Sequence, residues 1–148
     1  MKIFQANETH LDLVASLFNE YRVFYDQIFD LCKAENFIRD RLQKNDSIIF
    51  LVTKATDLTP LGFAQLYHSF TSIGAAEILI LNDLYIKPEY RKNGIAGKLL
   101  MHIEEFAQKK GVAKITLQTA KSNSIAQKLY TSYRYKQEKN FLNFCKNV

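Results

Sequence analysis

The sequence predicts an α/β fold, a mixed central sheet of six to seven strands flanked by about four helices on both faces. Three observations lead there. Apolar runs of strand length and segments of helical periodicity alternate in the order β-α-α-β-β-β-α-β-α-β(β). Two successive strands, over residues 61–70 and 77–86, are joined by the short Thr71-Ser72-Ile73-Gly74 loop of a hairpin. The second of them runs through a tight basic turn into a long amphipathic helix with another strand behind it, which makes one β-α-β crossover.

Residues 2–5 read as a short strand. Asn7 or Thr9 offers a side-chain oxygen to cap a helix whose apolar positions Leu11, Val14, Leu17, Phe18 and Tyr21 recur at helical spacing. Phe37, Ile38, Arg41 and Leu42 suggest a second helix over 33–44. The run Ile48-Ile49-Phe50-Leu51-Val52 marks a buried strand within 46–54, and Thr56 to Pro60 turns the chain into the hairpin. A helix over 94–110 presents Ile95, Leu99, Leu100, Ile103, Phe106 and Ala107 on one face, and Gly111 ends it as a C-cap. Val112 to Thr119 reads as a strand, 123–133 as a fourth helix, and 134–144 as one or two closing strands.

At 148 residues the chain is expected to form a single domain, 1–148, large enough to bury a core. The net charge of +5 is spread along the chain without a basic arm, so no nucleic-acid partner is expected, and an anionic cofactor accounts for the bias equally well. Cys32 and Cys145 are far apart and match neither a zinc spacing nor a disulfide framework. His10, His68 and His102 show no metal spacing either, so no metal is expected. His102 is placed at the surface of the long helix, and His68, on a strand, reads as structural rather than catalytic. No run approaches the length of a membrane span and the first residues lack the apolar stretch of a signal peptide, which points to a cytoplasmic protein without a membrane partner.

The most informative stretch is the turn Arg91-Lys92-Asn93-Gly94-Ile95-Ala96-Gly97 between strand and helix. The first amides of a helix lack intrahelical partners, and the helix dipole adds partial positive charge at the same end. Such a turn is suited to a phosphate or pyrophosphate. Gly94 lets the backbone approach an anion, Ala96 and Gly97 keep the next positions small, and Arg91, Lys92 and Lys98 add charge. Neither the P-loop spacing nor G-x-G-x-x-G is present.

With the preceding Asp83-Leu84-Tyr85-Ile86-Lys87-Pro88-Glu89-Tyr90, this turn resembles the acetyl-CoA signature Q/R-x-x-G-x-G/A of the GNAT superfamily of N-acetyltransferases. The resemblance covers nearly the whole chain in element order. It implies acetyl-CoA as cosubstrate, bound by the 91–97 turn, and a splayed strand in which Leu84, Tyr85 and Ile86 offer backbone groups to the pantetheine arm. It also implies an N–H there that polarises the acetyl carbonyl. The alternative, an ordinary fully paired central strand, is left open by the residues themselves.

A second element, Asn123-Ser124-Ile125-Ala126-Gln127-Lys128-Leu129-Tyr130, resembles the superfamily's N-x-x-A-x-x-L-Y. Seven helical steps bring Asn123 and Tyr130 near one face. The resemblance gives Asn123 a place on the cofactor arm and Tyr130 the role of proton donor to the departing thiolate. On the residues alone, Asn123 also reads as a helix cap and Tyr130 as a core aromatic. An amine of lysine type has a pKa near 10.4, so only about one molecule in a thousand is nucleophilic at neutral pH and a base is required. Polyamine acetyltransferases, which this segment resembles, carry Glu-Asp where this chain has Asn82-Asp83. Asn82 accepts no proton, which leaves Asp83 as the candidate carboxylate, with Glu77 further back on the same strand and a water chain as the alternatives. A second departure is Arg134, where the family has a left-handed glycine before an aromatic; Arg134 in that conformation costs about 1 kcal/mol.

The resemblance thus implies acetyl transfer to a primary amine (a polyamine, an amino acid or a lysine side chain) by direct attack in a ternary complex. It is nearest to the diamine, thialysine and small histone-type acetyltransferases. The alternative is a catalytically inactive acyl-CoA-binding regulatory module. A homodimer is expected, with the aromatic-rich C-terminus (Tyr133, Tyr135, Phe141, Phe144) as interface, unless those residues enter the monomer's own core.

Overall fold

Strand β1 (Lys2–Gln5), helices α1 (Leu11–Phe24) and α2 (Leu31–Lys44), and strands β2 (Ser47–Thr53), β3 (Pro60–Thr71) and β4 (Ala76–Ile86) open the chain. Helix α3 (Ile95–Lys110), strand β5 (Lys114–Leu117) and helix α4 (Ser124–Ser132) complete it, in a computed structural model that describes residues 1–148. Two compact units result, Met1–Gln118 and Thr119–Val148.

The first unit holds a five-stranded sheet in the order β1-β2-β3-β4-β5. The first three pairings are antiparallel and β4–β5 is parallel, because a hairpin joins β3 to β4 whereas α3 carries the chain across to β5. Alternation along the strands sorts the faces. Ile49, Leu51, Phe63 and Tyr85 pack with Val14, Leu17 and Ile38 of α1 and α2. Phe50 points the other way, against His102 and Phe106 of α3, with ring centroids 4.9 and 5.2 Å apart. His102 is therefore half-buried in an aromatic contact and not a surface residue, since its position on α3 turns toward β2.

Caps explain where the helices start. Asn7 accepts from the Thr9 amide at 3.0 Å and closes a short 3-10 turn, Glu8–His10, before α1, so it caps that turn and not α1 itself. Asp30 accepts from the Lys33 amide at 2.9 Å and starts α2 two residues earlier than periodicity suggested. Gly111, at φ 72°, ends α3.

Two local features shape β4. Gln65 pairs with Asp83 but Leu66 pairs with Leu81, so Asn82 is the extra residue of a β-bulge. The parallel ladder with β5 covers only Ile78 to Leu81, and β4 from Asn82 onward has no β5 partner. On the β3 side Gly62 lies opposite Ile86, where any Cβ would fall onto the Tyr85 carbonyl oxygen.

The second unit contains α4, capped by Asn123, whose Oδ1 accepts from the Ala126 amide at 3.1 Å. Arg134 takes the left-handed conformation at φ 66°, as the absent glycine suggested. The closing strands expected over 134–144 do not form, which leaves five strands instead of six to seven. Glu138 Oε1 accepts from the amides of Lys139 and Asn140, both at 2.9 Å, a local turn that competes with extended pairing. Phe141, Leu142 and Phe144 stand exposed, so they do not fill this monomer's core. No helix is long and apolar enough to cross a membrane.

Candidate active site

The turn between β4 and α3 is built by backbone conformation. Lys92 (φ 62°) and Gly94 (φ 71°) are both left-handed, and Asn93 pins the bend between them by donating to the carbonyls of Tyr90 and Arg91, each at 3.2 Å. The first helical bond of α3 runs from the Lys98 amide to the Gly94 carbonyl at 3.1 Å. The amides of Ile95, Ala96 and Gly97 precede it, and Gly94, having no side chain, gives them no cap. Space above Gly94 is open, with no atom within 4 Å of the point where a Cβ would stand. An uncapped, accessible helix N-terminus flanked by Lys92 and Lys98 fits an anionic phosphate arm.

Arg91 behaves differently from the expectation of a charge facing the ligand. Its Nε donates to the Ile86 carbonyl at 2.8 Å, and its guanidinium lies 5.3 Å from the Phe24 ring centroid and 5.6 Å from that of Tyr85. The side chain straps the turn to β4 and α1. Beside it the Tyr85 hydroxyl donates to Glu20 Oε2 at 3.2 Å, and Lys87 Nζ meets Glu20 Oε1 at 3.1 Å. Burial, followed by the nearby Glu20 carboxylate, pushes the Tyr85 phenol up to about 12, so it remains a donor.

The strand edge Leu84, Tyr85 and Ile86 leads from the bulge into this turn. With β5 absent alongside, its outward backbone groups are available to an extended ligand, as in strand addition. Asp83 begins this segment and is only 3% exposed. Its Oδ1 accepts from Asn82 Nδ2 at 3.2 Å, and Oδ2 has no hydrogen-bond partner. Burial raises the carboxyl from 3.8 to about 6, and the hydroxyl of Tyr21 and the amide of Asn82 oppose that rise without cancelling it.

Asn123 and Tyr130 lie in the second unit. Asn123 spends its side-chain oxygen on the cap of α4. Tyr130 is half-buried, its ring 5.7 Å from that of Tyr135 in an edge contact, and its carbonyl accepts from the Tyr135 amide at 3.0 Å. His68 Nδ1 lies 2.8 Å from Glu77 Oε1 on the exposed hairpin, a structural contact. Sequence reasoning missed Tyr21, Ser47, Gln65 and Tyr67, which lie about the Asp83 end of β4, and Glu20, which holds Tyr85 and Lys87. A signal was present for Gln65, a lone polar residue inside the apolar run Leu61 to Leu66.

Comparison with known proteins agrees with this geometry. The acetyltransferase (GNAT) family model matches residues 14–134, and the chain belongs to that family. The chain is 38% identical over 148 residues to the uncharacterised N-acetyltransferase YhfO of Bacillus subtilis (strain 168), covering all of this chain and 98% of that protein. A crystal structure described as a probable acetyltransferase superposes with a TM-score of 0.95 at 34% identity, covering 100% of this chain and 98% of the other. Spermidine N(1)-acetyltransferase of Thermoplasma acidophilum is 29% identical over 110 residues, 70% of this chain and 68% of that protein. The protein is accordingly an acyltransferase enzyme, and enzymes of its family transfer acetyl groups from acetyl-CoA.

Two expected outcomes follow from this geometry. A β-branched residue is strained at the φ of Gly94 and narrows the approach to the amides. Gly94→Val should weaken acetyl-CoA binding by about tenfold or more in calorimetry; unchanged affinity would remove the turn from the assignment. Asp83, whose carboxyl binds its proton more tightly folded than unfolded, stabilises the fold fully below about 3.8 and loses that contribution as the pH rises through about 6. The unfolding free energy of the wild type in urea should therefore fall by about 2 kcal/mol relative to Asp83→Asn between pH 4 and 7; parallel profiles would show that burial leaves Asp83 untouched.

Proposed function

We propose that this enzyme transfers the acetyl group to a primary amine (a polyamine, an amino acid or a lysine-like side chain) by direct attack in a ternary complex. One observation carries the reading. A buried carboxyl, a strand edge without a β5 partner and an uncapped helix N-terminus follow one another along residues 83–97. The spermidine acetyltransferase relative supports a small cationic acceptor. Relatives named as acetyltransferases do not favour a non-catalytic acyl-CoA-binding module.

Acetyl-CoA supplies an activated thioester carbonyl. Amides of Ile95 to Gly97, with Lys92 and Lys98, would hold its pyrophosphate. Backbone groups of Leu84 to Ile86 would align the pantetheine arm and direct an N–H at the carbonyl oxygen. Arg91 fixes the turn, and Asn93 shapes it. Asp83 takes the proton of the incoming ammonium, which frees the nitrogen lone pair to form the new C–N bond. Tyr130 gives a proton to sulfur as the C–S bond breaks and regains one through solvent as the nitrogen, now bonded to the acetyl carbon, releases its second proton, with Asn123 setting the start of the Tyr130 helix. A thiol-release assay against polyamines, amino acids, aminoglycosides and lysine peptides tests the reaction and ranks the acceptors.

Loss of a proton donor slows turnover more than it weakens cofactor binding, because the hydroxyl matters most as sulfur gains charge. Tyr130→Phe should cut kcat by about 10²–10⁴ while acetyl-CoA affinity changes little. Equal loss of both would indicate a packing role, and wild-type turnover would leave water as the proton source. The exposure of Phe141, Leu142 and Phe144 supports a homodimer through the C-terminal segment. Light scattering should give twice the 17.2 kDa chain mass; a monomer at all working concentrations would rule it out.

A further inference from the structure

Three buried side-chain oxygens lack a hydrogen-bond partner, namely Ser47 Oγ, Gln65 Oε1 and Asp83 Oδ2. They are not scattered. Gln65 and Asp83 are directly paired across β3 and β4, and Ser47 is directly paired with Tyr67, two residues along β3 from Gln65. Alternation puts all of them on the face covered by α1 and α2. Ser47 is two residues from Ile49, Gln65 two from Phe63 and Asp83 two from Tyr85, and those three share one core cluster with both helices.

Unpaired buried acceptors are costly and rare, and three on neighbouring positions call for a common partner. Gln65 and Asp83 are each essentially inaccessible, at 0% and 3% exposure. Gln65 is also oriented, since its Nε2 donates to the Tyr67 hydroxyl at 2.6 Å and its carbonyl oxygen remains. The missing partner must be water-sized and rich in donors. A primary ammonium carries three N–H donors and no acceptor, and its charge complements a carboxylate. The bulge is where this cluster comes nearest to solvent along β4, since exposed Asn82 adjoins buried Asp83. Tyr21 of α1 also reaches this point, its hydroxyl 3.5 Å from the Asn82 carbonyl and hydrogen-bonded to the Asp83 carboxyl, so an entering ammonium would share Asp83 with it.

We propose that Gln65 Oε1 and Asp83 Oδ2, with Ser47 Oγ beside them, receive the protonated primary amine of the acceptor, and that Gln65 selects for the number of its N–H donors. The inference rests on the amine-acetylating reading above and adds the pocket to it. One N–H is held by Gln65 while the proton facing Asp83 passes to its carboxylate, giving a neutral amine and a carboxylic acid. Methylation of the nitrogen removes donors that the pocket needs. The groups facing Asp83 are Tyr21 of α1, Asn82 of β4 and Tyr67 of β3, with Arg41 of α2 and Asp46 acting on Tyr67.

The test uses the full chain with 1,4-diaminobutane and methylammonium as probes. In the wild type, the carboxyl ¹³C resonance of Asp83 should titrate at lower pH when either probe is saturating, a measurement that needs no variant. Gln65→Met keeps the volume and removes the acceptor. It should raise the diamine KM by about ten- to hundredfold, with the acetyl-CoA KM unchanged and thermal stability not reduced. The N-methylated diamine should be a poorer substrate for the wild type, and Gln65→Met should narrow that preference. An Asp83 resonance indifferent to both probes would mean that a buried water fills the pocket, and would overturn the proposal. So would a higher Asp83 pKa in free Gln65→Met, which would show the amide donating to the carboxylate. Should the wild type acetylate diamines while Gln65→Met keeps its KM, the reaction stands and this pocket is wrong. Should it acetylate no amine, the reading of the reaction fails, and the resonance still decides whether the pocket binds ammonium.

Discussion

The parting of β4 from β5 after Leu81 is the constraint on which the site depends. A central strand is ordinarily paired on both edges, and a free edge in the interior costs backbone hydrogen bonds. Here the bulge at Asn82 coincides with the end of the parallel ladder. An inserted residue bends its strand and increases the local twist, which turns the C-terminal half of β4 away from its neighbour. Pairing with β3 continues to Ile86, and Gly62 permits the close approach there. The strand thus stays anchored on one edge and is left open on the other.

Side chains then hold the open segment in place and, over Leu84 to Ile86, occupy its edge only at the Ile86 carbonyl. Tyr85 reaches to Glu20 of α1, Lys87 meets the same carboxylate, and Arg91 closes back onto the Ile86 carbonyl between two aromatic rings. Each contact ties the end of β4 or the following turn to the α1 face. Of the backbone groups of Leu84 to Ile86 that face away from β3, only the Ile86 carbonyl is taken, by Arg91. A fixed charge placed in the turn itself would offer less, because the helix amides already provide directional donors and need only an unobstructed approach. The arginine of the motif serves geometry, and the lysines beside it supply the charge.

Much of this was legible in the sequence because it rests on local chemistry. The hairpin, the crossover, the α3 boundaries at Gly94 and Gly111 and the left-handed Arg134 all depend on short-range signals. The bulge was not legible, since the adjacent polar pair Asn82-Asp83 interrupts an apolar run without revealing an extra residue, which shows only against Gln65 and Leu66. The closing strands failed for a related reason. Aromatic residues such as Tyr135, Phe141 and Phe144 suit a strand, but a strand needs a partner, and a Glu138-centred turn satisfies local amides instead. Arg91 was misjudged because charge in a motif does not reveal which way a long side chain folds.

The polar cluster of Ser47, Gln65 and Asp83 lay beyond sequence reasoning altogether, because three strands must be in register before these residues meet. Taken singly, each is an ordinary polar interruption of an apolar run. Together they break the rule that local choices in a core agree with one another. A fold that selected only for stability would replace at least Gln65 with an apolar residue of similar volume, since an unpaired buried acceptor opposes folding. Its position opposite Asp83, at the root of the strand segment that the bulge sets free, is where the proposed amine contact would offset a cost in stability. The bulge that coincides with the end of the β5 ladder also sets the buried Asp83 carboxyl opposite Gln65 beneath α1, so one inserted residue shapes both the free edge and the polar cluster.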